Sequence, residues 1–135
     1  MQARVKEVLI QAFKPIRGDV IPLIPEHVLS PGSVEYWVRT RTADLGDLAT
    51  YRKVHGGETA YEEARGALQA AAALLKENEG PFFLGREASY ADFLWVSFVM
   101  FVKRATEEGF QRVVGVDEVL REHFEACGPW MERDD

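Results

Sequence analysis

Ser89-Tyr90-Ala91-Asp92 stands between the loop Gly80-Pro81-Phe82-Phe83-Leu84-Gly85 and the apolar run Phe93 to Val102. A serine at a helix N-cap accepts the backbone N–H three residues on. An aspartate at that third position reaches back to the cap N–H, and its charge complements the positive end of the helix dipole. The helix that follows is apolar on nearly every face, so it has to be buried on nearly every side. Such a helix is the central element of an all-helical domain.

Length permits a core of that kind. A chain of 135 residues is one domain by the usual scaling, able to bury roughly 65–70% of its unfolded surface without disulfides or metals. The 22 acidic and 16 basic residues give a net charge of -6, and no long basic block is present. Binding to nucleic acid phosphate is therefore not expected. The one cysteine, Cys127, cannot form an intrachain disulfide, which fits a reducing, cytoplasmic setting. No basic–apolar–small-residue leader opens the chain. The run Phe93 to Val102 is about half of what crossing a bilayer needs, so no membrane partner is expected.

Along the chain, Val5, Val8, Leu9, Ala12 and Phe13 lie at helical spacing until Pro15 and Gly18, where a stop is expected. Ile21-Pro22-Leu23-Ile24-Pro25 carries two prolines and reads as an extended or kinked connector. A second helix is predicted from Ser30-Pro31-Gly32-Ser33 past Trp37, Leu45 and Leu48 towards Tyr51, ending at His55-Gly56-Gly57. Thr59 and Glu62 form a capping box for a third, whose stripe is Tyr61, Ala64, Leu68, Ala71, Ala72 and Leu75. Gly80-Pro81 stops it. The buried helix from Tyr90 is predicted to reach about Glu108, before Gly109. A last helix turns Val119, Leu120, Phe124 and Cys127 inward ahead of Gly128-Pro129. Nothing alternates with a period of two, so the expectation is all-α, a bundle of about five helices.

Chemistry is harder to find. His27, His55 and His123 have no cysteine or carboxylate at ligand spacing, and no metal is predicted. The sequence has no G-x-S-x-G elbow, phosphate-cradling Gly-rich loop or HExxH helix. Cys127 lies on an apolar stripe, where packing accounts for it better than nucleophilic chemistry. Trp37 and Arg41 are four apart on one helix face and can stack, or jointly face a ligand with an acidic group. The plainer reading packs Trp37 in the core and pairs the arginines with Glu35 or Asp44. The aromatic set Phe93, Trp95, Phe98 and Phe101 reads as core, and Phe82 and Phe83 as anchors of their turn.

Pro81-Phe82-Phe83-Leu84-Gly85 through Ala91-Asp92-Phe93 resembles the segment entering the core helix of the glutathione S-transferase C-terminal domain. Glu35-Tyr36-Trp37-Val38-Arg39-Thr40-Arg41-Thr42-Ala43-Asp44-Leu45-Gly46 is similar to the "EYF..TRE..FG" segment of the fungal FuA and bacterial beta-etherase-like members, and the tail around Cys127-Gly128-Pro129-Trp130 also looks fungal. Ala88 makes a smaller hydrophobic staple for Phe93 than relatives carry.

The resemblance implies residues 1–135 as a single helical domain, with the family's N-terminal thioredoxin-like domain expected to be absent from this chain. In the family that upstream domain binds glutathione and carries the catalytic residue, while the helical domain supplies most of the hydrophobic co-substrate pocket. No catalytic residue transfers to this sequence. The implied function is the co-substrate-binding half of a glutathione transferase of the detoxifying type. It would hold a hydrophobic small-molecule electrophile against Phe13, Tyr36, Trp37 and Arg41, act as a cytoplasmic homodimer, and be inactive alone. The other implied reading is a stand-alone, non-catalytic ligand-binding or protein-assembly module. In either case Ser89 and Asp92 serve architecture.

Overall fold

The computed structural model describes residues 1–24 and 31–131, apart from the side chains at 31, 32, 44, 130 and 131. The expected cap at Ser30, the second proline of the connector, Pro25, and His27 lie outside the described residues. The elements are α1 (Gln2–Val20), a 3-10 turn (Ile21–Leu23), α2 (Pro31–Leu45), α3 (Leu48–His55), α4 (Glu58–Lys76), α5 (Tyr90–Ala105), α6 (Glu107–Val114), α7 (Glu118–Ala126) and a last short helix, α8 (Gly128–Met131). The only extended pairing among the described residues is an isolated bridge between Phe82 and Gly85. The all-α expectation holds, with the helices divided more finely than expected.

Each difference has a local cause. Helix α1 runs through Pro15 and Gly18: one lost backbone hydrogen bond costs less than the burial of Ile16 and Val20, both 0% exposed. Gly18 is needed where it is, because a Cβ there would sit 2.4 Å from the His55 carbonyl oxygen. The Ile21 connector is a 3-10 turn rather than extended chain; proline fits a first helical turn, where its missing donor has no partner to lose. The single helix expected from Ser30-Pro31-Gly32-Ser33 past Tyr51 to His55 is broken at Gly46, whose φ of 80° favours glycine. Asp47 then caps α3 by accepting from the Thr50 N–H at 3.1 Å.

The Thr59–Glu62 box does not form. Gly57 is the N-cap of α4, without a side-chain cap bond, and Thr59 already lies inside the helix. The expected stripe is buried as read, from Tyr61 to Leu75, but the helix ends at Lys76, short of Gly80. The central helix stops at Ala105. Thr106 leaves the helical region and caps α6 by accepting from the Gly109 N–H at 3.2 Å, so Gly109 is an interior residue of α6 and not a stop.

Helix α1 lies along α4 and α5, and α4 also meets α6 and α7. The core sits among them, around Trp95, Leu68, Ile16 and Phe83. Trp95 packs against Phe98 at 5.2 Å and edge-on to Phe83 at 6.5 Å. The central helix is not buried all round: Phe93 is 52% and Tyr90 58% exposed, and their rings stack on one another. Ala88 is exposed too, so no hydrophobic staple holds Phe93 down. Val119 and Phe124 are half-buried, whereas Leu120 and Cys127 are buried.

Candidate functional site

The capping box forms as read, and it is the centre of a larger buried cluster. Asp92 Oδ2 accepts from the Ser89 N–H at 2.8 Å and from the Ser89 hydroxyl at 3.0 Å. Its Oδ1 accepts the backbone N–H of Phe83 at 2.8 Å and lies 2.9 Å from His123 Nε2. An ionised carboxylate can only accept, so His123 carries its proton on Nε2. Burial pushes the Asp92 carboxyl up, but bonds from His123, Phe83 and Ser89 outweigh it and hold the group below the ordinary range.

The three histidines looked isolated in the sequence, but the fold encloses His123 fully. Phe82 and Phe83 flank its ring, Asp92 pairs with it, and Cys127 Sγ lies 3.8 Å from Nε2. Burial, then the Asp92 charge, pushes the Cys127 thiol up to about 12. A thiol held in that form is a poor nucleophile, in keeping with the packing role. The signal for His123 was present: it follows Leu120 by three residues and precedes Cys127 by four, on the same helical face.

A second polar cluster was not anticipated. Asp19, 3% exposed, stands at the end of α1. Its Oδ2 accepts from the Tyr61 hydroxyl at 2.7 Å and its Oδ1 from the Gly57 N–H at 2.9 Å. Arg52 reaches the same carboxylate at 3.1 Å through Nη2 and the Asp19 carbonyl at 3.2 Å through Nε. Burial, then the bond to Asp19, raises the Tyr61 phenol well above its usual value. Tyr61 is therefore a fixed donor and cannot serve as a base or thiol activator at neutral pH. An acid placed between Gly18 and Val20, ahead of an apolar turn, was the available hint.

The four proposed pocket residues fall in two places. Phe13 lies with Leu9, Leu94, Ser97, Phe98 and Phe101 around an open depression of about 370 Å³ between α1 and α5. Its ring meets Phe98 edge-on at 6.1 Å and Phe101 at 6.2 Å. No charged side chain lines this basin. Tyr36, Trp37 and Arg41 stand on α2, whose main packing is against α3. The Arg41 guanidinium lies 5.4 Å from the centre of the Trp37 ring, the stack that the four-residue spacing allows in place of the plainer core packing of Trp37, and Arg39 lies 5.7 Å from that of Tyr36. Trp37 is half-buried and Tyr36 65% exposed. Among the described residues no ring contact or cavity joins Phe13 to these three.

Among the described residues, no group of three or more His, Cys, Asp or Glu is placed to hold a metal. None of the described helices is long and apolar enough to cross a membrane. Cys127 and Tyr61, the buried thiol and phenol, are both held protonated. Compared with known proteins, residues 1–130 match the family model described as glutathione S-transferase, C-terminal domain. No curated protein and no solved structure matches the chain.

Proposed function

Because this chain belongs to the glutathione S-transferase C-terminal domain family, we propose that it is the helical, co-substrate-binding half of a glutathione transferase. The observation that carries this reading is the uncharged basin around Phe13. It is large enough for an aromatic ring system and lined so that an apolar guest loses no charge solvation. Trp37 and Arg41 supply a second, stacked surface on α2. A thioredoxin-like domain outside this chain binds glutathione and lowers its thiol pKa. The thiolate then attacks an electrophilic carbon, forming the C–S bond as the leaving group departs with its electron pair. Phe13 holds and orients that electrophile in its basin, and Tyr36, Trp37 and Arg41 offer a separate aromatic and cationic surface on α2 to the same substrate class. A cytoplasmic homodimer and membership of the fungal FuA and beta-etherase-like subgroup, on the Tyr36 to Gly46 stretch, complete the proposal.

The test is to join the chain to a glutathione-binding thioredoxin-like domain from its source and follow conjugation of an aryl electrophile. Glutathione-dependent turnover is expected, with Phe13→Ala and Trp37→Ala each raising KM about tenfold, the loss of one good aromatic contact. A normal KM in either variant removes that residue from the pocket. The protonated state of Cys127 and Tyr61 also suits a non-catalytic ligand-binding or assembly module. That reading predicts binding of an apolar ligand or protein partner with no conjugation in any joined form.

A further inference from the structure

One polar side chain interrupts the apolar walls of the Phe13 basin. Leu9 and Phe13 of α1 and Leu94, Phe98 and Phe101 of α5 supply the rest of the described lining, and Ser97 stands among them. Leu94, Ser97 and Phe101 are three and then four residues apart on α5, so they share one face of the helix, with Ser97 in the middle of the strip. Ser97 is exposed, while Trp95, Val96, Phe98 and Val99 around it in sequence are buried. It does none of the structural work that brings serine into a helix. It lies about two turns from either end of α5, too far to cap the helix. Among the described residues its hydroxyl bonds to no protein group, not even to the carbonyl one turn back that a serine inside a helix ordinarily uses.

A lone hydroxyl on an apolar wall selects among guests. Whatever lies over it takes it out of water. A hydrocarbon then leaves the O–H unpaired, whereas a guest with an oxygen at that point accepts its hydrogen bond. A carboxylate or sulfonate is disfavoured, because no charged side chain lines the basin to balance it. The acceptor that fits is neutral. Resting on the transferase reading of this basin, we propose that Ser97 determines substrate specificity there: its Oγ–H donates to a neutral carbonyl or nitro oxygen of an aromatic electrophile whose ring lies against Phe13 and Phe101. The substrate class narrows from hydrophobic electrophiles in general to aromatic carbonyl and nitro compounds. A single donor in an otherwise featureless wall also fixes which way round the guest lies, the orientation that an in-line attack needs.

Benzophenone and 1,1-diphenylethylene carry the same two rings and differ by a carbonyl oxygen against a methylene group. Each is titrated into the folded full chain and followed by amide chemical shifts on α1 and α5. Ser97→Ala is expected to weaken benzophenone about three- to tenfold, the loss of one neutral hydrogen bond. The same variant is expected to leave 1,1-diphenylethylene unchanged or to tighten it, since no hydroxyl is then covered unpaired. Alanine is the better helix former and Ser97 has no protein bond to lose among the described residues, so the urea midpoint is expected at or above that of the parent. Phe13→Ala is expected to weaken both probes. Equal effects of Ser97→Ala on the two probes, an unchanged benzophenone affinity, no saturable benzophenone binding, or a lowered urea midpoint in Ser97→Ala would overturn the assignment. Conjugation by the joined protein is read separately: its absence contradicts the transferase reading, whereas the ratio of the two affinities decides the role of Ser97.

Discussion

Asp92 accepts four hydrogen bonds, so its removal should cost more than a helix cap does. Ser89→Ala is expected to lower stability by about 0.5–1 kcal/mol, the range for a cap. Asp92→Ala strands the N–H groups of Phe83 and Ser89 and the buried His123 ring, so about 3–4 kcal/mol is expected in urea unfolding. A loss equal to that of Ser89→Ala would reduce Asp92 to a cap. Because the folded carboxyl titrates below its ordinary value of 3.8, its contribution is complete above that pH and is lost as pH falls below it. Asp92→Asn should flatten that part of the stability curve. Cys127 is expected to resist alkylation at pH 8 in the native chain and to react once urea unfolds it, as a thiol pushed up to about 12 requires. The cap pair was legible because its partners are three residues apart. The link from Asp92 to His123 spans 31 positions, and no local pattern encodes it.

Helix boundaries show the same division between local and distant causes. Thr59 with Glu62 reads as a helix start and Thr106 as the interior of a longer helix, yet it is Thr106 that caps one. At α4 the Gly57 N–H is taken by Asp19, on another helix, and that contact sets the start two residues early. The Pro15 stop failed for a related reason: Ile16 and Val20 are core residues, and their burial carries α1 past the proline. Helix α1 approaches α3 closely at Gly18. Gly18→Ala is expected to destabilise by about 1–3 kcal/mol, as overpacking against backbone does, despite alanine's better helix propensity. A variant as stable as the parent would show that the α1–α3 contact is loose.

For the whole molecule, the period of the apolar residues was enough to read an all-α chain built on α4 and α5, and the family match over residues 1–130 agrees with it. The candidate site was less legible. Phe13 was placed on an apolar face, but that its basin is closed by Phe98 and Phe101 of α5 depends on how α1 and α5 cross. Exposed Ile10, Tyr90 and Phe93 and the open Phe13 basin leave apolar surface for association. Sedimentation is therefore expected to show concentration-dependent self-association, and a clean monomer throughout would speak against a homodimer. In the proposed division of labour, this chain holds the electrophile and leaves glutathione to another domain. Amide chemical shifts of the isolated chain, recorded with an unreactive nitroaromatic and then with glutathione, test it most directly. Shifts on α1 and α5 around Phe13 and Phe98 are expected with the nitroaromatic and none with glutathione. A saturable cluster of shifts with glutathione, or no response around Phe13, would contradict it.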